Sequence, residues 1–231
     1  MDYISKTTKS STIFFKWHPF VLATLLCLAL VFYCSHQAWA FGMYDEAVAM
    51  AVDAQGNVYV SGNSDTNGGR EIATIKYAPD GKLLWVQREI AAWGKAIAID
   101  DQGNVYVAGS VSNFPSRMLD YITIKYGSDG TRSWMRRYNG SANWIDVATA
   151  IAVDAWGNVL VTGYSYGDRT FSFSDYVTVK YSPEGQELWV RRYSGPANEG
   201  DDAFAIGVDE DGNVYVTGTS YGGDVTREDY A

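Results

Sequence analysis

The amino-acid sequence predicts an all-β protein made of repeated four-stranded antiparallel sheets, and three observations lead to this prediction. A ten-residue phrase of the form DxxGNVxVxG occurs four times, beginning at Asp53, Asp100, Asp154 and Asp209. Successive copies lie 47, 54 and 55 residues apart, about the length of one four-stranded blade of a β-propeller. A second phrase, containing Lys-Tyr, a glycine turn and a tryptophan, follows each of the first three copies. We therefore expect a β-propeller-type array of blades.

A strand with small and larger side chains in alternation precedes each copy of the phrase. Ahead of Asp53, alanines occupy positions 47, 49 and 51, whereas Met50 and Val52 are larger. A period of two is typical of a β-strand. A face that accepts only Ala or Gly indicates close approach to neighbouring sheets, as on the innermost strand of a propeller blade. A crowded β-sandwich core is the alternative.

The phrase itself predicts a tight turn followed by a buried strand. Its aspartate can accept N–H groups from the next residues, and its glycine can adopt the positive φ of a bulged hairpin. The next strand, VYV or VLV, is apolar on both faces and needs cover on both, which neighbouring blades would provide. A third strand ends in Lys-Tyr, and a second turn leads to a fourth strand containing Trp85, Trp134 or Trp189. Turn geometry explains the repeated acids, so we predict a structural role for them.

Residues 1–40 have the features of a secretory signal peptide. Lys6, Lys9 and Lys16 precede an uncharged, mostly apolar run from Pro19 to Cys34, and Ala38-Trp39-Ala40 follows. This order predicts a signal helix that is cleaved after Ala40, and a secreted, periplasmic or cell-surface location. An uncleaved membrane anchor is the alternative, although the run of 16 residues is shorter than the roughly 20 that span a bilayer.

The composition of residues 41–231 excludes several kinds of chemistry. Both cysteines and both histidines of the chain belong to residues 1–40, so disulfides, thiolate or imidazole zinc sites and Ser-His-Asp or Cys-His catalytic centres are excluded. With three of the 18 basic and one of the 27 acidic residues removed, the net charge is -11, which argues against a nucleic-acid partner. No cofactor or metal is predicted. Residues Asp209–Asn213 are rich in oxygen but lack the spacing of an EF-hand, and we interpret them as a turn.

The two phrases together resemble the SBBP-type bacterial β-propeller repeat, in which DxxGNVYVTG is followed by DYxTIKYxxxGxxxW. The resemblance covers about residues 43–231, and it implies an extracellular or envelope-associated propeller without general catalytic residues. It predicts blade 1 at about 43–90, blade 2 at about 91–138, blade 3 at about 146–193 and a partial blade 4 at about 201–231. An array of about 3.5 to 4 blades leaves the ring incomplete. We therefore expect either a fragment of a longer reading frame or self-association through the open edge of the incomplete blade.

Loops that differ between the repeats indicate where a ligand would bind. The turn connections are alike in every repeat, whereas the loops on the opposite face vary, and variable loops on a rigid scaffold often carry function. Aromatic and acidic side chains in these loops suit a sugar or another protein. The candidate residues of this ligand face are Trp144, Tyr164, Tyr166, Asp168, Phe171, Phe173, Glu199, Tyr221 and Asp224.

These observations favour a secreted or cell-surface binding and scaffold protein, without catalytic activity, that contacts extracellular protein or polysaccharide. No membrane contact is expected once the signal is cleaved. One alternative is a fragment of a glycosidase-like or sialidase-like propeller enzyme, because two carboxylates alone can hydrolyse a glycosidic bond. The segment from Ser128 to Trp134 only approximates the Asp-box of such enzymes. A structural envelope protein or a truncated gene product is the other alternative.

Overall fold

The computed structural model describes residues 44–66, 69–90, 92–113, 118–167, 173–197, 199–223 and 227–230, and only the backbone at 223 and 227–230. Within these residues the protein contains strands and no helix, so the predicted all-β class is confirmed. Residues 1–43, with the predicted signal helix, lie outside the described residues. In the described part of the chain, no helix is long and apolar enough to cross a membrane.

The described strands form four antiparallel sheets, which we call blades 1 to 4 in chain order. Blade 1 contains β1 (Asp45–Val52), β2 (Val58–Thr66), β3 (Gly69–Tyr77) and β4 (Leu83–Ile90). Blade 2 contains β5 (Ala92–Ile99), β6 (Val105–Asn113), β7 (Met118–Tyr126) and β8 (Arg132–Tyr138). Blade 3 contains β9 (Asp146–Val153), β10 (Val159–Tyr166), β11 (Ser174–Tyr181) and β12 (Glu187–Tyr193). Blade 4 contains β13 (Asp201–Val208), β14 (Val214–Gly223) and β15 (Arg227–Tyr230).

The hydrophobic core lies between consecutive blades. Between blades 1 and 2, Tyr59 and Ile72 pack against Val105, Val107 and Ile124, all of them buried. Residues at the equivalent repeat positions form the core between blades 2 and 3. Both faces of β6 and β10 are therefore covered, as their doubly apolar sequences require.

The first strands of successive blades contact one another in the order β1, β5, β9 and β13. Each pairs irregularly with the second strand of its blade, and in blade 1 this bulge lies between Ala47 and Ala49. A Cβ added at Gly62 would lie 2.1 Å from the Glu46 carbonyl oxygen. The equivalent distance is 2.0 Å at Gly109, Gly163 and Gly218. The glycine that ends the ten-residue phrase is thus required by the bulged first strand, a role that the sequence analysis did not predict.

Each DxxGN turn is held by the carboxylate of its aspartate. In blade 1, Asp53 Oδ1 accepts the backbone N–H groups of Gln55 at 3.0 Å and Asn57 at 2.8 Å. Asp53 Oδ2 accepts the Asn57 amide at 2.7 Å and the Tyr59 hydroxyl at 2.9 Å. Burial raises the pKa of Asp53, but these hydrogen bonds outweigh it and hold the pKa below its ordinary value. Gly56 adopts the predicted positive φ of 83°.

A tryptophan of each of the first two blades binds the β-turn between the third and fourth strands of the next blade. Trp134 Nε1 donates to the Pro183 carbonyl at 2.9 Å, and its ring lies over Gly185, where an added Cβ would be 2.7 Å from Trp134 Cδ2. Trp85 makes the same contacts with Ser128 and Gly130. Lysine side chains reinforce both contacts, because Lys76 and Lys125 donate to the same two carbonyl groups at 3.1 Å.

Blade 3 departs from this pattern at two linked positions. Leu160 replaces the tyrosine whose hydroxyl bonds the turn aspartate in the other blades. In its place, Lys180 Nζ lies 2.8 Å from Asp154 Oδ2, and the two side chains are only 13% and 0% exposed. The lysine therefore supplies the hydrogen bond that the leucine cannot.

Candidate functional site

We call the loop end the end of the sheets at which the second and third strands of a blade are connected, and at which one blade passes to the next. Two of the blade-to-blade loops are held there by buried aspartates. The Gly140 N–H donates to Asp146 Oδ2 at 2.8 Å, and the Gly195 N–H donates to Asp201 Oδ2 at 2.6 Å. Both carboxyl groups are almost fully buried. These aspartates therefore anchor the loops, and the Gly-x5-Asp spacing that both loops share is the sequence signal for this role.

Three-member polar groups tie the outer strands together at the loop end. In blade 3, Arg192 pairs with Asp175, and its guanidinium also donates to the Ser165 carbonyl at 2.7 Å. In blade 1, Arg88 bonds Ser64 Oγ at 3.1 Å and Glu71 Oε2 at 3.3 Å. These charge-assisted contacts give the variable loops a rigid base.

The described residues of blade 2 form no ion pair of this kind, and its Asp120 is buried without one. Asp120 is 3% exposed, and its Oδ1 accepts no hydrogen bond from the described residues. Burial and the nearby Asp146 carboxyl raise the pKa of Asp120, while Arg137 acts in the opposite direction. The pKa of Asp146 is also raised by burial, against the opposing contacts of Ser165, Gly140 and Arg192. Two buried carboxyl groups with raised pKa values therefore lie at the contact of blades 2 and 3.

Two aromatic residues of the predicted ligand face are in contact, and a third is exposed on the same blade. Tyr164 and Tyr166 at the end of β10 lie with their ring centroids 6.4 Å apart and their planes at 77°. Phe173, just before β11, is 47% exposed. The adjacent Ser174 donates to Asp202 of blade 4 at 2.8 Å, which joins the loop ends of blades 3 and 4. Burial and the charge of Asp202 raise the pKa of Tyr164.

The other predicted residues are distributed around this group. Trp144 is half-buried in the loop before β9, two residues ahead of Asp146. Glu199 is half-buried, and the Tyr221 N–H donates to the carbonyl group of the neighbouring Gly200 at 3.2 Å. Asp168, Phe171 and Asp224 lie outside the described residues. The members of the predicted ligand face that the structure describes therefore lie at the loop end of the sheets.

The opposite end of the sheets, which carries the DxxGN turns, contains a polar cleft that the sequence analysis missed. Its volume is about 400 Å³, and Asp101, Lys125 and Trp156 are among the residues that line it. Trp156 is 59% exposed and packs against Gly212 of blade 4. The same repeat position is Gln55, Gln102 or Asp211 in the other blades. The large aromatic residue Trp156 departs from this polar pattern, and this difference was the sequence signal for the cleft.

No group of three or more His, Cys, Asp or Glu side chains in the described ranges is arranged to hold a metal ion. In the oxygen-rich loop of blade 4, Asp209 accepts hydrogen bonds from the Asn213 backbone at 2.7 Å, the Asn213 amide at 2.8 Å and the Tyr215 hydroxyl at 2.9 Å. This carboxylate therefore has the turn role of Asp53.

Comparison with known families supports the interpretation of the repeats. The family model described as SBBP, a beta-propeller repeat, matches residues 90–112 and 188–224. Both segments are therefore similar to SBBP-type propeller repeats. The first covers β5, its turn and most of β6, and the second runs from β12 to the end of β14. The SBBP repeat therefore includes the inner strand, the aspartate turn and the bulge glycine described above.

Several solved structures resemble the chain at low sequence identity. A gluconolactonase from Xanthomonas campestris is 15% identical with a TM-score of 0.40, and the match covers 73% of this chain and 52% of that one. A putative gluconolactonase is 15% identical with a TM-score of 0.39, covering 72% and 53%. A chimera of ACO and RPE65 is 13% identical with a TM-score of 0.38, covering 64% and 38%. The chain thus spans about half the length of the first two. None of the curated proteins compared matches the sequence.

Proposed function

We propose that this SBBP-repeat chain is a secreted or cell-surface binding and scaffold module, and that it contacts extracellular protein or polysaccharide through the loop end of blades 3 and 4. The proposal rests on one observation. At the loop end of blade 3, exposed and half-buried aromatic side chains stand on a base held by the Arg192 ion pair. The signal-like features of residues 1–40 support the location outside the cytoplasm.

The two tyrosines at the end of β10 have no aromatic counterpart at the same strand positions of the first two blades. The positions of Tyr164 and Tyr166 correspond to Asn63 and Asp65 in blade 1, and to Ser110 and Ser112 in blade 2. The repeat therefore does not require aromatic rings there. Tyrosine combines a large contact area with a polar hydroxyl, and both sugars and protein surfaces bind such groups well.

The buried carboxyl groups favour a binding role over hydrolysis. Asp120 and Asp146 have the raised pKa values that a general acid needs. They are however only 3% and 1% exposed, and a substrate must come within hydrogen-bond distance of a catalytic carboxyl. Turnover of aryl glycosides or sialosides by the purified chain, abolished in Asp120→Asn, would instead support the enzyme alternative.

The binding proposal is tested by screening the purified chain on a glycan array and in pull-downs from cell-envelope extracts. Any glycan or protein that the wild-type chain captures in these screens should bind a Tyr166→Ser, Phe173→Ser double variant with at least tenfold lower affinity. Trp156→Ser is the matched control, because it removes an exposed aromatic side chain at the opposite end of the sheets and should bind as the wild type does. Equal binding by all three proteins would contradict the proposed face. Failure of both screens would contradict the binding function.

A further inference from the structure

The face of blade 1 that points away from blade 2 exposes apolar side chains that the next blades bury. Met50, Val52 and Val86 are 42%, 43% and 37% exposed. On the equivalent face of blade 2, Val107 and Ile124 are fully buried against blade 1. Because the sequence of this face in blade 1 has the same apolar character, it is suited to receive another blade.

Blade 4 exposes the face of its sheet that, in blades 1 and 2, packs on the following blade. Tyr215 is 61% exposed, whereas Tyr59 and Tyr106 at the same repeat position are completely buried against the next blade. Phe204 on the neighbouring strand is 54% exposed. Exposed apolar side chains grouped on one face of a sheet indicate a contact surface.

The contacts within the chain show how two such faces fit together. At the contact of blades 1 and 2, the face bearing Tyr59 packs on the face bearing Val105 and Val107, and the contact of blades 2 and 3 repeats this arrangement. Blade 4 exposes Tyr215, the counterpart of Tyr59 in this contact, and blade 1 exposes the apolar face that corresponds to the one bearing Val105 and Val107.

A hollow on blade 1 marks the same surface. It has a volume of about 110 Å³, and Val60, Gly62 and Ile75 are among the residues that line it. At the glycine equivalent to Gly62 in blade 3, the Tyr121 hydroxyl of the preceding blade would lie 2.9 Å from an added Cβ. The hollow thus lies where an aromatic side chain of a preceding blade packs elsewhere in the array.

We propose that blade 4 of one copy of this chain docks on blade 1 of a second copy, with the faces bearing Tyr215 and Met50 in contact. Both faces are exposed in the same molecule, so they do not cover each other within one chain. Because two different surfaces meet, the contact is heterologous, and it forms a closed ring if the rotation closes or an open filament if it does not. This inference does not depend on the proposed ligand.

Single substitutions on each face test the contact. Met50→Asp and Phe204→Asp place a charge where the docked surface would bury it. Met50 and Phe204 are 42% and 54% exposed, so both substitutions should leave the blade itself folded. Sedimentation velocity of the full chain should show concentration-dependent oligomers for the wild type and monomers for each variant. Leu188→Asp is the matched control, because Leu188 is 51% exposed on the outer strand of blade 3, and it should associate as the wild type does.

A mixture of the two variants gives the most specific outcome. The Met50→Asp chain keeps an intact blade 4 face, and the Phe204→Asp chain keeps an intact blade 1 face. An equimolar mixture should therefore form a one-to-one dimer and nothing larger. Monomeric wild-type protein at its highest attainable concentration would overturn the proposal. Oligomers that persist in both single variants would also overturn it and would point to another surface, including residues 1–43.

Discussion

Replacing Gly185 by alanine should destabilise the protein more than replacing Gly81 by alanine, although the two glycines occupy the same turn of their blades. Their φ angles are 80° and 83°, so both substitutions carry the same backbone cost, about 1–2 kcal/mol for a left-handed alanine. Their surroundings differ. A Cβ at Gly185 would lie 2.7 Å from Trp134 Cδ2, whereas nothing lies within 4 Å of a Cβ at Gly81.

The extra cost at Gly185 follows from how firmly Trp134 is held. Its side chain is 8% exposed, its Nε1 donates to Pro183, and its ring lies 6.4 Å from Tyr106 and 6.1 Å from Tyr181. It cannot move aside without disturbing these contacts, and overpacking of this kind costs about 1–3 kcal/mol. We therefore expect total losses of about 1–2 kcal/mol for Gly81→Ala and about 2–5 kcal/mol for Gly185→Ala.

Urea unfolding followed by far-ultraviolet circular dichroism would measure the two losses, at a protein concentration where the chain is monomeric. A double-mutant cycle isolates the contact with the ring. In a Trp134→Ala background, Gly185→Ala should cost no more than Gly81→Ala costs in the wild type. Equal losses for the two single glycine variants would refute the reasoning, because the tryptophan would then add nothing to the turn.

Two further predictions concern buried charges. Lys180→Met should lower the free energy of unfolding by about 3–5 kcal/mol, because it leaves the buried Asp154 carboxylate without its cationic partner. The loss should be smaller in a Leu160→Tyr background, where the tyrosine hydroxyl can bond that carboxylate, and an undiminished loss in urea unfolding would contradict this. Asp120→Asn should leave the protein at least as stable as the wild type at neutral pH. Because the folded-state pKa of Asp120 is raised above its ordinary value of 3.8, the wild type should gain stability as the pH falls through the folded pKa, with the gain complete below 3.8. Asp120→Asn should lack this part of the gain, and identical pH profiles of thermal unfolding for the two proteins would contradict it.

The turn chemistry of the repeat could be predicted from the sequence because it is local. The carboxylate of Asp53 bonds residues two, four and six positions later in the chain. The role of Gly62 could not be predicted in the same way, because the bulge that demands it lies on a neighbouring strand. Asp201 lies two residues after Glu199 of the predicted ligand face, but its burial and the hydrogen bond that it accepts from the Gly195 N–H give it an anchoring role.

The candidate ligand face could be predicted only as a set of loops. Strand alternation placed its members at one end of the sheets, since successive connections of a meander lie at opposite ends. Tyr164 and Tyr166 lie two residues apart on β10, so the period of a strand is enough to place their rings on one face. The hydrogen bond from Ser174 to Asp202, which joins blades 3 and 4, emerged only from the folded chain. The polar cleft beside Trp156 was missed, because two turns from different blades form it.

The sequence by itself determined the blade: its strands, its aspartate turns and its apolar faces. These features depend on side-chain period and on hydrogen bonds between near neighbours in the chain. The tertiary structure alone decided how the blades hold one another, because the tryptophan, lysine and tyrosine bonds between them join residues 43 to 58 positions apart. It also decided which apolar faces remain uncovered. Covering a face requires a second sheet at a defined distance and angle, and no local pattern specifies that sheet.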